Sequence, residues 1–263
     1  LNTLFLILTL STGCSQEIVS SKYAESINSN DLEDLLSVYS SDGFEGRQTG
    51  TKGDRTAANF LRDFYISNKI GPALNTIDYF QPYQLNLPGK MYTFNYSFPS
   101  TLRGYDRYAQ GDNFVDTQNV ASVIEGEIYP ESYLIITGHL DHVGINGDEV
   151  YNGADDNGSG TVSILEIAQA FQEAVEDGVR PKRSVVFLHV SGEEEGLLGS
   201  EYYVNNSLYP LENTFATLNL DMIGRTDPNR GYEDEEYVYS IGSDRISKEL
   251  KKISERINEQ TEN

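Results

Sequence analysis

The sequence predicts an α/β protein, a three-layer α/β/α sandwich around a central mixed, mostly parallel sheet. Three observations carry this. From Asn119 onward, strand-like apolar runs alternate with amphipathic helices, the pattern of a largely parallel sheet covered on both faces. The 263 residues hold no repeat and no long Pro/Gly/Ser linker, which fits one sizeable domain. Acidic and histidine side chains stand where the apolar runs end, and the carboxyl ends of strands are where open α/β sheets build their sites.

The elements follow in chain order. Leu1 to Leu10 is apolar but too short to span a bilayer, and it runs into Leu10-Ser11-Thr12-Gly13-Cys14, which resembles the end of a bacterial lipoprotein export signal. Residues 1–13 are thus expected to be a signal-peptide remnant, Cys14 the lipidated residue, and residues 14–26 a polar tether. Cys14 is the sole cysteine, so an internal disulfide is excluded. An amphipathic helix is expected around Ile27, Leu32, Leu35, Leu36 and Tyr39, capped by Asn30 or Asp31. Gly43 to Gly50 reads as a loop, and Ala57, Phe60, Leu61, Phe64 and Tyr65 mark a second helix ending near Gly71-Pro72. Residues 76 to 118, rich in Tyr, Phe, Asn and Gly, read as strands with long connections. Beyond them the pattern predicts strands at about 119–125, 133–138, 184–190, 216–221 and 237–241, with helices at 161–176, 197–206 and 244–258. Val162, Leu165, Ala168, Phe171 and Val175 recur at helical spacing in the best defined of these helices, which Gly178 and Pro181 close.

The net charge of −22, from 41 acidic against 19 basic residues, argues against nucleic acid or an anionic membrane surface as partner. The run Glu233 to Glu236 reads as a solvated loop. Elsewhere the acids are placed differently. His139-Leu140-Asp141, Gly153-Ala154-Asp155-Asp156-Asn157, Gly192-Glu193-Glu194 and Leu220-Asp221 bring carboxylates and an imidazole to the ends of apolar runs. Carboxylates converging there repel one another unless cations lie among them, so the pattern points to divalent metal, with two ions matching the ligand count better than one.

These four motifs, in this order, resemble the metal motifs of the two-zinc aminopeptidases of clan MH, the bacterial leucyl-aminopeptidase type. Glu45-Gly46-Arg47-Gln48-Thr49-Gly50-Thr51 is similar to that family's early loop. The resemblance runs from about Ile27 to about Gly242 and implies a zinc-exopeptidase-like fold, with residues 27–263 as the peptidase domain. It implies that Asp155 bridges two zinc ions, that His139 and Asp221 complete one ion's ligands and Glu194 holds the other, that Glu193 is the general base, and that Asp141 orients His139. It also implies a cis peptide bond between Asp155 and Asp156. The implied reaction is removal of amino-terminal residues from peptides by a water shared between the ions, in a protein exported to the bacterial cell envelope and touching membrane only through a lipid on Cys14. In that family the second ion takes a further histidine from a downstream loop, whereas all three histidines here precede Glu193; the sequence is therefore expected to be truncated.

Other readings compete. A single-zinc glutaminyl cyclase shares the fold, but the Glu193-Glu194 pair favours two ions. A non-catalytic peptide-binding form would explain the missing histidine. Asp155-x-Asn157-x-Ser159-Gly160, with Val162 and Glu166 at the later positions, also satisfies a calcium-loop pattern. Residues 145–153 cannot supply the entering helix that pattern needs, and the helix at 161–176 would enclose Glu166. His189, inside a strand, reads as a core histidine, Glu195 as a solvent-facing residue, and His142, which could also be a ligand or a substrate contact, as a loop residue near the cleft.

Overall fold

The computed structural model describes residues 22–86, 114–230 and 237–261. Cys14, the signal remnant, most of the tether and the run Glu233 to Glu236 lie outside them. Contacts divide the chain into two units, Leu1–Gly224 and Arg225–Asn263. No helix among the described residues is long and apolar enough to cross a membrane.

The first unit opens with helix α1 (Ser29–Tyr39). Its cap is Asn28, whose side chain accepts from the Asn30 and Asp31 N–H groups, earlier than the Asn30 or Asp31 that the sequence pattern offers. Helix α2 (Lys52–Ser67) is capped by Thr51. The sheet contains β1 (Gly71–Pro72), β2 (Phe80–Asn86), β3 (Phe114–Ile124), β4 (Tyr129–His139), β7 (Arg183–Val190) and β8 (Thr214–Asn219), while β5 (Gly144–Asn146) and β6 (Glu149–Tyr151) form a separate hairpin. The order is β1-β3-β7-β4-β8, with β2 also on β3. Strands β7, β4 and β8 are parallel, whereas β3 is antiparallel to β7 and to both β1 and β2. The sheet is thus mixed, as expected, and three carboxyl ends share one edge.

Period-two alternation explains the layers. Val120, Ile136, Val185 and Phe187 join a core with Tyr39, Leu61 and Tyr65 and with Val162 and Leu165 of helix α3 (Gly160–Glu176). Their neighbours Ala121, Ile135, Val186 and Leu188 face the other way, against Tyr203 of helix α4 (Leu198–Asn205) and against Leu208 and Tyr209. His189 is fully buried, with its Nε2 2.7 Å from the Tyr65 hydroxyl, and burial pushes its pKa down to about 3. It is a neutral core histidine. Glu166 lies inside α3 and is buried, which removes the twelfth ligand of a calcium loop.

In the second unit, helices α5 (Ser243–Ile246) and α6 (Lys248–Thr261) follow Tyr237 to Ile241. That segment is not a strand; the Arg230 guanidinium lies 3.8 Å from the Tyr237 ring centroid, and the Tyr239 hydroxyl donates to Asp227. Val238, Tyr239 and Ile241 are exposed, so the apolar run marks no buried face here.

Asp54 sits under the carboxyl edge with no exposed surface. It accepts from the Gly50 N–H at 2.9 Å, Thr117 Oγ1 at 2.7 Å and Ser191 Oγ at 2.9 Å. Burial nevertheless pushes its carboxyl up to about 7, against these hydrogen bonds. The folded chain then keeps a proton that the unfolded chain loses near pH 4, so this group lowers stability as pH rises from about 4 to 7, by up to about 1.4 kcal/mol per unit, and adds no slope above. Asp54→Asn should abolish that share of the slope. Urea unfolding at pH 4.5, 6 and 7.5 checks this: the stability difference between variant and parent should shift in the variant's favour as pH rises, and a constant difference contradicts it.

Candidate metal centre

His139 is the last residue of β4, Glu193 and Glu194 follow β7, Asp221 follows β8, and Asp155 and Asp156 lie in the turn Ala154–Ser159 that leads into α3. Parallel strands bring these distant segments to one edge. The join is tight: a side chain at Gly160 would meet the Leu220 carbonyl oxygen at 2.3 Å. Asn157 bolts the two together, donating from Nδ2 to the Leu220 carbonyl at 2.9 Å and accepting from the Gly160 and Met222 N–H groups. Thr161 Oγ1 donates to the His139 carbonyl at 2.8 Å.

Among the described residues, three groups place potential ligand atoms within 4.8 Å of one another: His139, Asp156 and Asp221; His142, Asp156 and Glu194; and His139, Glu193 and Glu194. His139 Nε2 lies 3.1 Å from Asp156 Oδ1 and 3.6 Å from Asp221 Oδ1, and His142 Nδ1 lies 2.7 Å from Glu194 Oε1. Imidazole nitrogen with carboxylate oxygen is a donor set that zinc accepts, so the residues present fit the metal.

The charges within the cluster answer one another. Burial opposes a charged His139, but Asp141, Asp156 and Asp221 outweigh it and hold the imidazole up at about 12. Without metal, a proton on His139 supplies the positive charge the cluster requires, and that proton must leave before the nitrogen can ligate. Asp156 is lowered, chiefly by His139. Burial, together with Asp141, Glu194 and Asp221 and against His139, pushes Glu193 up to about 7.

The structure brings His139, Glu193, Glu194 and Asp221 together at this edge. Asp155 does not join them. The carboxylate that joins the His139–Asp221 group to the His142–Glu194 group is Asp156, while Asp155 turns its Oδ1 to the Gly224 N–H at 2.9 Å. The cis peptide bond likewise falls one residue later than expected, between Asp156 and Asn157. Adjacent acids in a turn point apart, and spacing alone does not say which faces the sheet edge. Asp141 also differs in detail. The His139 Nδ1 is 3.1 Å from the Asp141 main-chain oxygen and 3.6 Å from its carboxylate. That carboxylate instead accepts from Thr49 Oγ1 at 2.9 Å and from the Glu193 and Glu194 N–H groups at 3.2 and 3.4 Å, so it holds the glutamate turn. His142, for which the sequence left a ligand role as the alternative to a loop residue, contributes to a donor group. The sequence singles out neither Arg47 nor Thr49 individually, although their loop is conspicuous.

An open α/β/α sheet whose carboxyl edge gathers overlapping histidine and carboxylate groups defines a metal-centre protein of zinc-exopeptidase-like fold. The chain belongs to peptidase family M28, which matches residues 119–263. It is 42% identical over 105 residues to leupeptin-inactivating enzyme 1 of Streptomyces exfoliatus, covering 39% of this chain and 22% of that protein. To a probable zinc metalloprotease of Pyricularia oryzae it is 31% identical over 123 residues, 46% of this chain and 24% of that one. The matches thus span about a quarter of the length of these curated relatives. The Legionella pneumophila LapA aminopeptidase superposes with a TM-score of 0.50 at 20% identity, over 79% of this chain and 46% of that one. Porphyromonas gingivalis glutaminyl cyclase does so with 0.51 at 18% identity, over 76% and 61%. At such identities the likeness is one of fold.

The geometry separates the neighbouring aspartates. Asp156→Asn should weaken zinc binding by tenfold or more, whereas Asp155→Asn should leave it within a few-fold, as read by competition with a chelating indicator. The reverse order would return the shared role to Asp155.

Proposed function

We propose that this protein is a zinc-dependent exopeptidase that removes amino-terminal residues from peptides, with two ions in the full-length protein. The observation that carries the reading is Asp156, the one residue shared by the His139–Asp221 group and the His142–Glu194 group, while Glu193 stands beside them. A carboxylate shared in this way favours a two-ion centre over the single-zinc cyclase alternative. Membership of a peptidase family and likeness to proteins named as zinc metalloproteases support the reaction class.

His139, Asp156 and Asp221 would hold one ion, and Asp156, Glu194 and His142 would hold the other. Bound zinc supplies Lewis acidity, making water acidic near neutral pH and polarising a carbonyl. The rest falls to the chain. Glu193 is partly buried, and a pKa near neutrality lets a carboxylate take a proton from water and return it to a leaving amine. Asp141 fixes that side chain's backbone through the Glu193 N–H. The peptide's free amino group would meet a strongly acidic cleft, which favours a cation.

Glu193→Gln should keep its zinc and lose about 10²–10⁴ in turnover on an aminoacyl amide. Loss of zinc in the variant would make Glu193 a ligand, and unchanged turnover would remove it from the reaction.

Export and lipidation at Cys14 complete the proposal and rest on the sequence motif. The full-length protein, expressed in a bacterium, should partition into detergent and carry labelled fatty acid, and Cys14→Ser should abolish both. Wild-type protein without lipid would remove the anchor.

A further inference from the structure

The early loop, Glu45 to Thr51, contributes no donor to the centre, yet it holds a large buried charge. Arg47 has no exposed surface. Its Nε donates to the Leu140 carbonyl at 3.0 Å, its Nη1 to the carbonyls of Tyr39 at 3.2 Å and Asn152 at 2.7 Å, and its Nη2 to that of Gly153 at 2.8 Å. The guanidinium carbon lies 4.6 Å from the Tyr39 ring centroid, and the Tyr39 hydroxyl donates to the same Leu140 carbonyl. Burying a cation is costly, and four neutral carbonyls do not need one. Three of the four share a place beside donor-bearing segments. Leu140 stands between His139 and Asp141, and Asn152 and Gly153 lead directly into the turn that carries Asp156. A rigid planar fork therefore ties two donor-bearing segments together at fixed spacing.

Thr49 extends the tie to a third segment, because its hydroxyl donates to the Asp141 carboxylate that holds the Glu193 and Glu194 N–H groups. The loop can lie this close because Gly46, at φ +64°, has no side chain; a Cβ there would meet the Gly144 carbonyl oxygen at 2.4 Å. The main-chain oxygen of Arg47 in turn accepts from the His142 N–H at 3.2 Å. One short loop thus touches the chain beside His139, His142, Asp156 and the glutamate pair.

We propose that the Arg47–Thr49 loop sets the metal affinity of the centre, with Arg47 and Thr49 as positioning residues that fix the spacing of the donor segments before metal arrives. The inference rests on the metal reading above. Such supporting contacts are worth about ten- to a hundredfold in metal affinity. Lysine keeps the charge of Arg47 but cannot span four carbonyls, and valine keeps the shape of Thr49 without its hydroxyl.

The test is zinc affinity, read by indicator competition on the full-length protein, its Arg47→Lys and its Thr49→Val, with thermal melting in EDTA alongside. Each variant should bind zinc about tenfold or more weakly, while its metal-free form still melts cooperatively. A lower melting temperature with unchanged zinc affinity would make the loop a mere fold support and overturn the proposal. Where Arg47→Lys does not fold, the nearly isosteric Thr49→Val carries the same test. Wild-type protein that binds no zinc would instead overturn the metal reading itself.

Discussion

Asp141, Asp156, Glu193, Glu194 and Asp221 crowd around His139 and His142 at one edge of the sheet, and the repulsion among these carboxylates is the constraint that organises what lies near them. Bringing them together in a partly buried place is unfavourable unless positive charge or hydrogen-bond donors answer each one. The structure answers in layers. His139 takes a proton and keeps it far above the usual imidazole range, Asp141 collects a hydroxyl and two backbone N–H groups, and the Arg47 cation lies beneath Leu140 and Gly153. Asp54, deeper still, is answered by hydroxyls and a backbone N–H and remains easily protonated.

The sheet makes this crowding possible. Because β7, β4 and β8 run parallel, residues separated by tens of positions leave the sheet side by side. The antiparallel β3 adds its amino end to the same edge, so that Thr117 stands 3.0 Å from the Ser191 hydroxyl just before the glutamate turn. Local chemistry then locks the segments: Asn157 serves the 220–222 segment and α3 at once, and the missing side chain at Gly160 lets that segment approach. The hydrogen bonds that join the donor segments are thus also bonds that hold the fold together.

Much of this architecture is legible in the chain. The strands around Ile135, Val186 and Leu218 and the helix through Val162 and Phe171 follow from periodicity, because a half-buried surface repeats every two or 3.6 residues whatever lies against it. Where packing failed to follow pattern, pattern misled: Val238, Tyr239 and Ile241 form a strand-like apolar run and lie exposed instead. The motif residues His139, Glu193, Glu194 and Asp221 could be named from their positions at the ends of apolar runs.

What the sequence by itself determined, then, is the class of fold, the edge of the sheet that bears the chemistry, and the residue types gathered there, since all three depend on short-range periodicity and on where each run stops. Only the tertiary structure decided which of Asp155 and Asp156 faces the centre, that His142 reaches Glu194, that the Asp141 carboxylate serves the glutamate turn more closely than the His139 ring, and that Arg47 clamps Leu140 to Gly153. The physical reason is common to all four. Each depends on the direction of a side chain relative to a segment dozens of residues away, and that direction is set by turn dihedrals and by hydrogen bonds formed only after the segments have met.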